Sequence, residues 1–323
     1  MTLPLVSVVL PTHNRRELLA EAIASLEQQS YSGPIEILIA DDASSPPVTP
    51  SSLPACRLPI RIVRHSTPKG GAAAKNLGIR AARGEYLVFL DDDDLLAPGY
   101  VEDALTSLRL HPEIKTLFMN VEWFGEHAAW GQTHQDRNVA RILAQTECVQ
   151  LTADLTFFRS GLFSALLDRI PMPFQRPVLR RQDFERIGFY QEDCLLWDCE
   201  WALRASLYGP CALLKQSPYR QRASGQGYSS QTKRQEEHIL SMLTAKQRLF
   251  TILKENPVAQ RRLQDALAEG WFNAAYFYAQ NQSDRQALAA ILKSQRYRWR
   301  VKQLKLLLKI LVKRVIRQYA PDR

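Results

Sequence analysis

Four apolar runs in the first hundred residues alternate with stretches of helical spacing, and each run breaks off into polar side chains. They are "LVSVVLP" (5–11), "IEILIADD" (35–42), "IRIVRH" (60–65) and "EYLVFLDDDD" (85–94). Their β-branched and aromatic residues suit strands. Between them, "RRELLAEAIASLEQQ" (15–29) places Leu18, Leu19, Ala22, Ile23 and Leu26 at helical spacing, with Asn14 as the expected N-cap. "GGAAAKNLGIRAA" (70–82) reads as a second helix, opened by glycines, whose small residues favour close packing on a sheet. This order predicts an α/β fold with a mainly parallel sheet flanked by helices. Its 323 residues, 46% of them hydrophobic, suffice to bury such a core.

In an open sheet of this kind, ligands bind beyond the carboxyl ends of the strands. The first strand ends in "PTHNR", the second in Asp41 and Asp42, and the fourth in Asp91, Asp92, Asp93 and Asp94. Three strand ends are thus expected to deliver polar groups to one crevice. Residues 46–60, rich in Pro and Ser, read as a surface loop. A further strand is expected at 116–125, with helical stretches at 137–147 and 159–169. Helical periodicity dominates from about residue 232. The expected organisation is a domain over 1–230 and a helical extension over 231–323.

The net charge of +9 is unevenly placed. Residues 291–323 hold eleven Lys or Arg and one acid, Asp322, so they carry +10, and residues 1–290 sum to −1. The main body therefore offers no basic surface for nucleic acid. Five cysteines, odd in number and scattered, match neither a zinc site nor a disulfide framework and point to a reduced, cytoplasmic setting. No stretch approaches the roughly 20 uncharged residues that span a bilayer.

The acidic run carries the chemistry. On an extended strand, Asp91 and Asp93 fall on one face, two residues apart, and are expected to share a hard divalent cation. Mg²⁺ typically takes one or two protein carboxylates and completes its shell with water and phosphate. A competing reading makes these acids caps of the helix that Pro98 opens. "KGGAAAKNLG" (69–78) lacks the spacings of a P-loop and of a dinucleotide fingerprint.

The segments "VSVVLPTHNR", "ILIADDASS", "GGAAAKNLGIRAARGEYLVFLDDDD" and "GFYQEDCLLWDCEWALRAS" resemble the family 2 glycosyltransferases of the GT-A fold. The resemblance runs over about residues 5–230, in the right order. It implies an inverting transfer of sugar from a nucleotide-sugar donor to a glycan or lipid-linked acceptor, in polysaccharide or glycolipid synthesis. It also implies a GT-A-like domain, with Asp42 at the nucleotide base, Thr12 and Asn14 beside it, and Asp91 and Asp93 as the D-x-D pair. Asp93 then ligates Mg²⁺ or Mn²⁺, whose charge stabilises the departing nucleoside diphosphate. Lys75 either helps there or is an ordinary solvated helix lysine.

Inversion needs a carboxylate that takes the acceptor's proton. By the resemblance, Asp198 in "LLWDCEWALRAS" takes that position, counting back from Arg204, although Trp197 stands where Glu is usual. Asp193 and Glu192 are rivals. Glu200 and Arg204, four apart on a helix, read as an ion pair. Arg222, in "YRQRASGQGYS" (219–229), is either an anion clamp on a glycine-hinged loop or a solvated arginine. The altered Glu-Asp pair leaves a second class of function open: a non-catalytic, membrane-associated relative that binds nucleotide sugars.

Residues 297–319, "YRWRVKQLKLLLKILVKRVIRQY", project Val301, Leu304, Leu307, Leu308, Leu311, Val312, Val315 and Tyr319 to one side of a helix. Lys302, Lys305, Lys309, Lys313 and Arg317 fall on the other. This pattern suits an anionic membrane surface, and places the protein peripherally on the membrane's inner face. The same pattern also allows a helix docked on the body with a solvated basic face.

Overall fold

The structure is a computed structural model, described here for residues 3–223 and 234–319, with side chains to 313. The chain divides into two compact units, Met1–Asp193 with Trp197–Gly227, and Cys194–Leu196 with Tyr228–Arg323.

The first unit is α/β. Its opening elements are β1 (Val6–Thr12), α1 (Arg16–Glu27), β2 (Ile35–Asp41), β3 (Ile60–Arg64), α2 (Gly71–Ala81) and β4 (Tyr86–Phe89). A two-residue β5 (Leu95–Leu96), α3 (Tyr100–Leu110), β6 (Thr116–Phe124), α4 (Ala128–Gln145), β7 (Glu147–Gln150) and β8 (Leu155–Ser160) follow. The unit closes with α5 (Leu162–Asp168), β9 (Pro177–Arg180), α6 (Arg181–Ile187), α7 (Trp197–Tyr208) and β10 (Cys211–Arg222). The strands form one sheet in the order β3-β2-β1-β4-β9-β6-β10-β8-β7, with β5 pairing β10. From the pairings, β3, β2, β1, β4, β6, β10 and β7 run one way and β9, β8 and β5 the other. The mainly parallel sheet expected from the apolar runs is present.

Alternation along β1 shows how the two faces are built. Val6, Val8 and Leu10 join a core with Leu19, Ile23 and Leu26 of α1 and Val101, Leu105 and Leu108 of α3. Val9 faces α2 instead, where a Cβ added to Gly78 would lie 2.7 Å from its methyl group. Only glycine lets that helix come so close to the sheet, as the run of small residues suggested. Each fully buried Val or Leu here contributes about 1.5–3 kcal/mol. On the α2 side, Phe89 packs against Phe184 and Tyr190, and Phe184 stacks on Trp201 at 5.3 Å.

Several local expectations change. Asn14 is not the N-cap of α1. It takes φ 57°, its Oδ1 accepts the Ser45 N–H at 2.7 Å, and Arg15 stands at the cap position. Asparagine tolerates this left-handed backbone better than most residues. The fourth strand also stops at Phe89, before the aspartates.

Arg204 ties α7 to the segment before it. Its guanidinium meets both oxygens of buried Glu200 at 2.8 Å and donates to the carbonyls of Ile187, Gly188 and Phe189. The ion pair read from the sequence is therefore present, and it also fixes the backbone at 187–189. Arg204→Ala leaves the Glu200 carboxylate buried without its partner, so urea denaturation should show a loss of about 3–5 kcal/mol.

The second unit holds α8 (Gln235–Ile252), α9 (Pro257–Gln280), α10 (Asp284–Tyr297) and α11 (Val301–Tyr319). Its core gathers Leu243, Leu267, Trp271, Ala287, Ile291, Leu306 and Ile310. No helix among the described residues is long and apolar enough to cross a membrane.

Candidate active site

The order β2-β1-β4 sets three carboxyl ends side by side. At the end of β4 the chain does not stay extended. Residues 91–94 form a turn, in which the Asp94 N–H donates to the Asp91 carbonyl at 3.2 Å. The strand alternation expected to pair Asp91 with Asp93 on one face is thus broken. The buried Tyr219 hydroxyl braces the turn: it accepts the Asp91 N–H at 3.0 Å and donates to the Asp94 carboxylate at 2.8 Å.

The four aspartates diverge to different partners. Asp91 pairs through Oδ1 with Lys75 at 2.7 Å and through Oδ2 with Arg176 at 3.2 Å. Asp92 accepts the Thr12 hydroxyl at 2.7 Å and Arg15 at 3.0 Å, on different oxygens. Asp93 gives one oxygen to Arg15, at 2.9 Å. Asp94 is buried and accepts Tyr219 and, at 2.8 Å, the Arg222 N–H. Of the four, Asp93 alone has an oxygen with neither a hydrogen bond nor an ion pair among the described residues. Its side chain is 25% exposed.

The surroundings sort the protonation of these groups. Burial pushes Asp91 up, but Lys75 and Arg176 outweigh it and hold its carboxyl low. Burial dominates at Asp92, which rises to about 6 against the opposing pull of Thr12 and Arg15. Asp94 rises as well, from burial and from the charges of Asp91 and Asp93, with Arg176 acting the other way.

Arg176 is the residue that the sequence did not announce. Just ahead of β9 it is 4% exposed, lies over the Tyr219 ring at 4.5 Å, and reaches Asp91 and Asp94. Its Nε is buried and without a hydrogen-bond partner among the described residues. Burial works against its charge, yet Tyr219, Asp91, Asp94 and Asp198 raise its pKa. The charge of Asp198 thus acts on the same cation as the acidic turn.

Asp198 sits in the first turn of α7, where its Oδ1 accepts the Cys199 N–H at 2.8 Å. Burial lifts the neighbouring Tyr190 hydroxyl well above its ordinary range, and the charge of Asp198 adds to that. Of its rivals, Glu192 is exposed and accepts an Asn76 N–H at 2.9 Å, and Asp193 is exposed. Trp197, standing where Glu is usual, lies against Lys75 with the ammonium 4.7 Å from the ring centroid. Lys75 is 3% exposed, so it is not a solvated helix lysine.

The other expected ligands are engaged within the protein. Asp42 accepts the backbone N–H groups of Lys69 and Gly70 at 2.7–3.1 Å and pairs with His65 at 2.8 Å, which folds residues 65–70 against the end of β2. A base contact has to share those oxygens. Thr12 is committed to Asp92, and Asn14 donates its backbone N–H to the Ser44 hydroxyl and accepts the Ser45 N–H on its side chain. Arg222 is not on a loop but at the end of β10, where it donates to the Asp93 carbonyl at 2.8 Å and pairs with Glu21 at 2.5 Å. That binding removes the expected free clamp. Gly225 and Gly227, its proposed hinges, lie outside the described residues.

The model of the family described as Glycosyl transferase family 2 matches residues 7–170, just over half of the chain. This chain is a family 2 glycosyltransferase. The glycosyltransferase YwdF of Bacillus subtilis is 27% identical over 80% of this chain and 92% of its own length. The Escherichia coli UDP-Glc:alpha-D-GlcNAc-diphosphoundecaprenol beta-1,3-glucosyltransferase WfgD is 25% identical over 56% of this chain and 67% of its own. Among solved structures, Staphylococcus aureus TarS 1–349 in complex with UDP-GlcNAc matches with a TM-score of 0.60 at 16% identity, over 92% of this chain and 81% of that one. That last likeness shows the fold.

No group of three or more His, Cys, Asp or Glu among the described residues is arranged to hold a metal. A single carboxylate oxygen at Asp93 is still compatible with a Mg²⁺-like ion that draws its other ligands from phosphate and water. Asp91, with both oxygens ion-paired, does not fit as the second ligand in this arrangement.

The raised Asp92 carboxyl has a pH signature. An acid whose folded pKa exceeds its unfolded value stabilises the protein at low pH, and that stability is lost as pH rises through the folded value, here about 6. Asp92→Asn removes this loss while keeping an acceptor for Thr12. The stability of the variant relative to wild type should therefore improve by about 2 kcal/mol between pH 4.5 and pH 8, read from chemical denaturation at both pH values.

Proposed function

We propose that this glycosyltransferase moves a sugar, with inversion, from a nucleotide-sugar donor to an acceptor hydroxyl in the synthesis of a cell-envelope glycan. The observation that carries the reading is the acidic turn at the carboxyl end of β4, held by Arg15, Lys75 and Arg176, in a chain that matches the family model over residues 7–170; the charge of Asp198 acts on Arg176 together with those of Asp91 and Asp94. Asp198, half-buried at the start of α7, takes the proton from the attacking hydroxyl. Asp42 shapes the 65–70 segment that borders the base, and Lys75 and Arg176 hold Asp91 in place.

Asp93 is the residue that would hold Mg²⁺ or Mn²⁺. Such an ion supplies positive charge to the diphosphate leaving group. A mannosyltransferase from Pyrobaculum calidifontis, solved in complex with GDP-Man and Mn2+, matches with a TM-score of 0.51 and supports this assignment. TarS with UDP-GlcNAc supports the donor class. The acceptor in the name of WfgD supports a lipid-linked diphosphate sugar, which brings the protein to a membrane surface through residues 297–319.

Replacement of the usual Glu by Trp197 favours one alternative, a relative that binds nucleotide sugar without turning it over. Donor hydrolysis separates the two. Wild type should release nucleoside diphosphate slowly with Mn²⁺, and Asp93→Ala should abolish that release. Asp198→Asn should lower transfer about 10²–10⁴-fold while thermal stabilisation by the donor persists. Full transfer by Asp198→Asn excludes it as the base, and donor binding without any turnover in wild type favours the alternative.

A further inference from the structure

Helix α11 has two apolar faces, and among the described side chains one of them is buried. Leu306 and Ile310 enter the core of the helical unit. Gln303 is fully buried beside them, donating to the Ser294 hydroxyl at 2.7 Å and to the Arg298 carbonyl at 2.8 Å. Leu308 lies two residues from Ile310, about 160° around the helix. Val301, Leu304, Leu308, Leu311 and Val312 follow one another at helical spacing there, and each is 42–56% exposed. Trp299, immediately before the helix, is 61% exposed.

The basic residues divide as well. Arg298, Arg300 and Lys302 are spent on Asp265 and Glu269 of α9. Lys305, Lys309 and Lys313 remain exposed, at helical spacing along one edge of the leucine stripe. Residues 301–319 contain no acid at all.

We propose that the exposed leucine stripe of α11, with Lys305, Lys309 and Lys313 beside it, docks the protein on an anionic phospholipid surface. The stripe offers apolar side chains to the acyl boundary, and the lysine row meets lipid phosphates from the adjoining flank. A second copy of this chain fits less well, because α11 itself brings lysines and no carboxylate to meet them. Docking serves the lipid-linked acceptor of the proposed function, but it is measured without that acceptor.

The full chain is sedimented with vesicles of phosphatidylcholine alone and of phosphatidylcholine with phosphatidylglycerol. Wild type should bind the anionic vesicles and remain in solution with the neutral ones. Combined Leu304→Ser, Leu308→Ser and Leu311→Ser, at exposed positions, should weaken binding at least about tenfold. Combined Lys305→Gln, Lys309→Gln and Lys313→Gln should remove the preference for phosphatidylglycerol. Unaltered circular dichroism of each variant establishes that it is folded. Wild type left in the supernatant overturns the proposal, as does a leucine variant that binds like wild type. So does a dimer in solution that the leucine variant dissolves. Nucleoside diphosphate release, measured on the same samples, separates the two readings: binding without release sinks the transferase, and release without binding sinks the membrane face.

Discussion

Four consecutive carboxylates at a strand end are tolerable only if their mutual repulsion is met, and this protein meets it with its own cations. Two unit charges about 4 Å apart repel by about 4 kcal/mol at an effective dielectric near 20. Lys75 from α2, Arg15 from the β1–α1 connection and Arg176 from the approach to β9 close on the turn from three directions. Protonation favoured by burial at Asp92 and Asp94 reduces the remaining charge. The turn depends on this neutralisation, whereas α2 lies close to the sheet because Gly78 admits it.

The same arrangement suits the donor that we propose. A nucleoside diphosphate brings negative charge to a cluster that already contains carboxylates, so the cations must be held in place beforehand. Arg176 is held by burial and by stacking on Tyr219, and Lys75 by Trp197. Such groups need no reorganisation when charge develops on a leaving group. Asp93, 25% exposed and with an oxygen open among the described residues, is left to meet the solvent side.

Much of the site was legible because it lies on strand ends. Alternating apolar runs identified β1, β2 and β4, and their polar terminations located Asp42 and the acidic turn. Glu200 and Arg204 were legible because helical spacing makes them neighbours. Asn14 and the pairing of Asp91 with Asp93 were misread because each expectation assumed that a local pattern continued, whereas the backbone turned; Arg222 was placed on a loop, whereas strand β10 continues to it. Nothing local marked Arg176 or Arg15. Their partners are distant in sequence, 85 residues away for Arg176 and Asp91 and 77 for Arg15 and Asp92.

The tail shows the same division. Periodicity by itself pointed to a helix over residues 297–319 with a leucine side and a lysine side, since 3.6 residues per turn is a local property, and the structure begins that helix at Val301. It also determined the α/β order of the first hundred residues. Only tertiary structure decided that Leu306, Ile310 and Gln303 dock while the leucine stripe stays uncovered, and that three cations converge on one turn. Contacts between distant segments depend on how whole elements stack, and no short window of sequence contains that information.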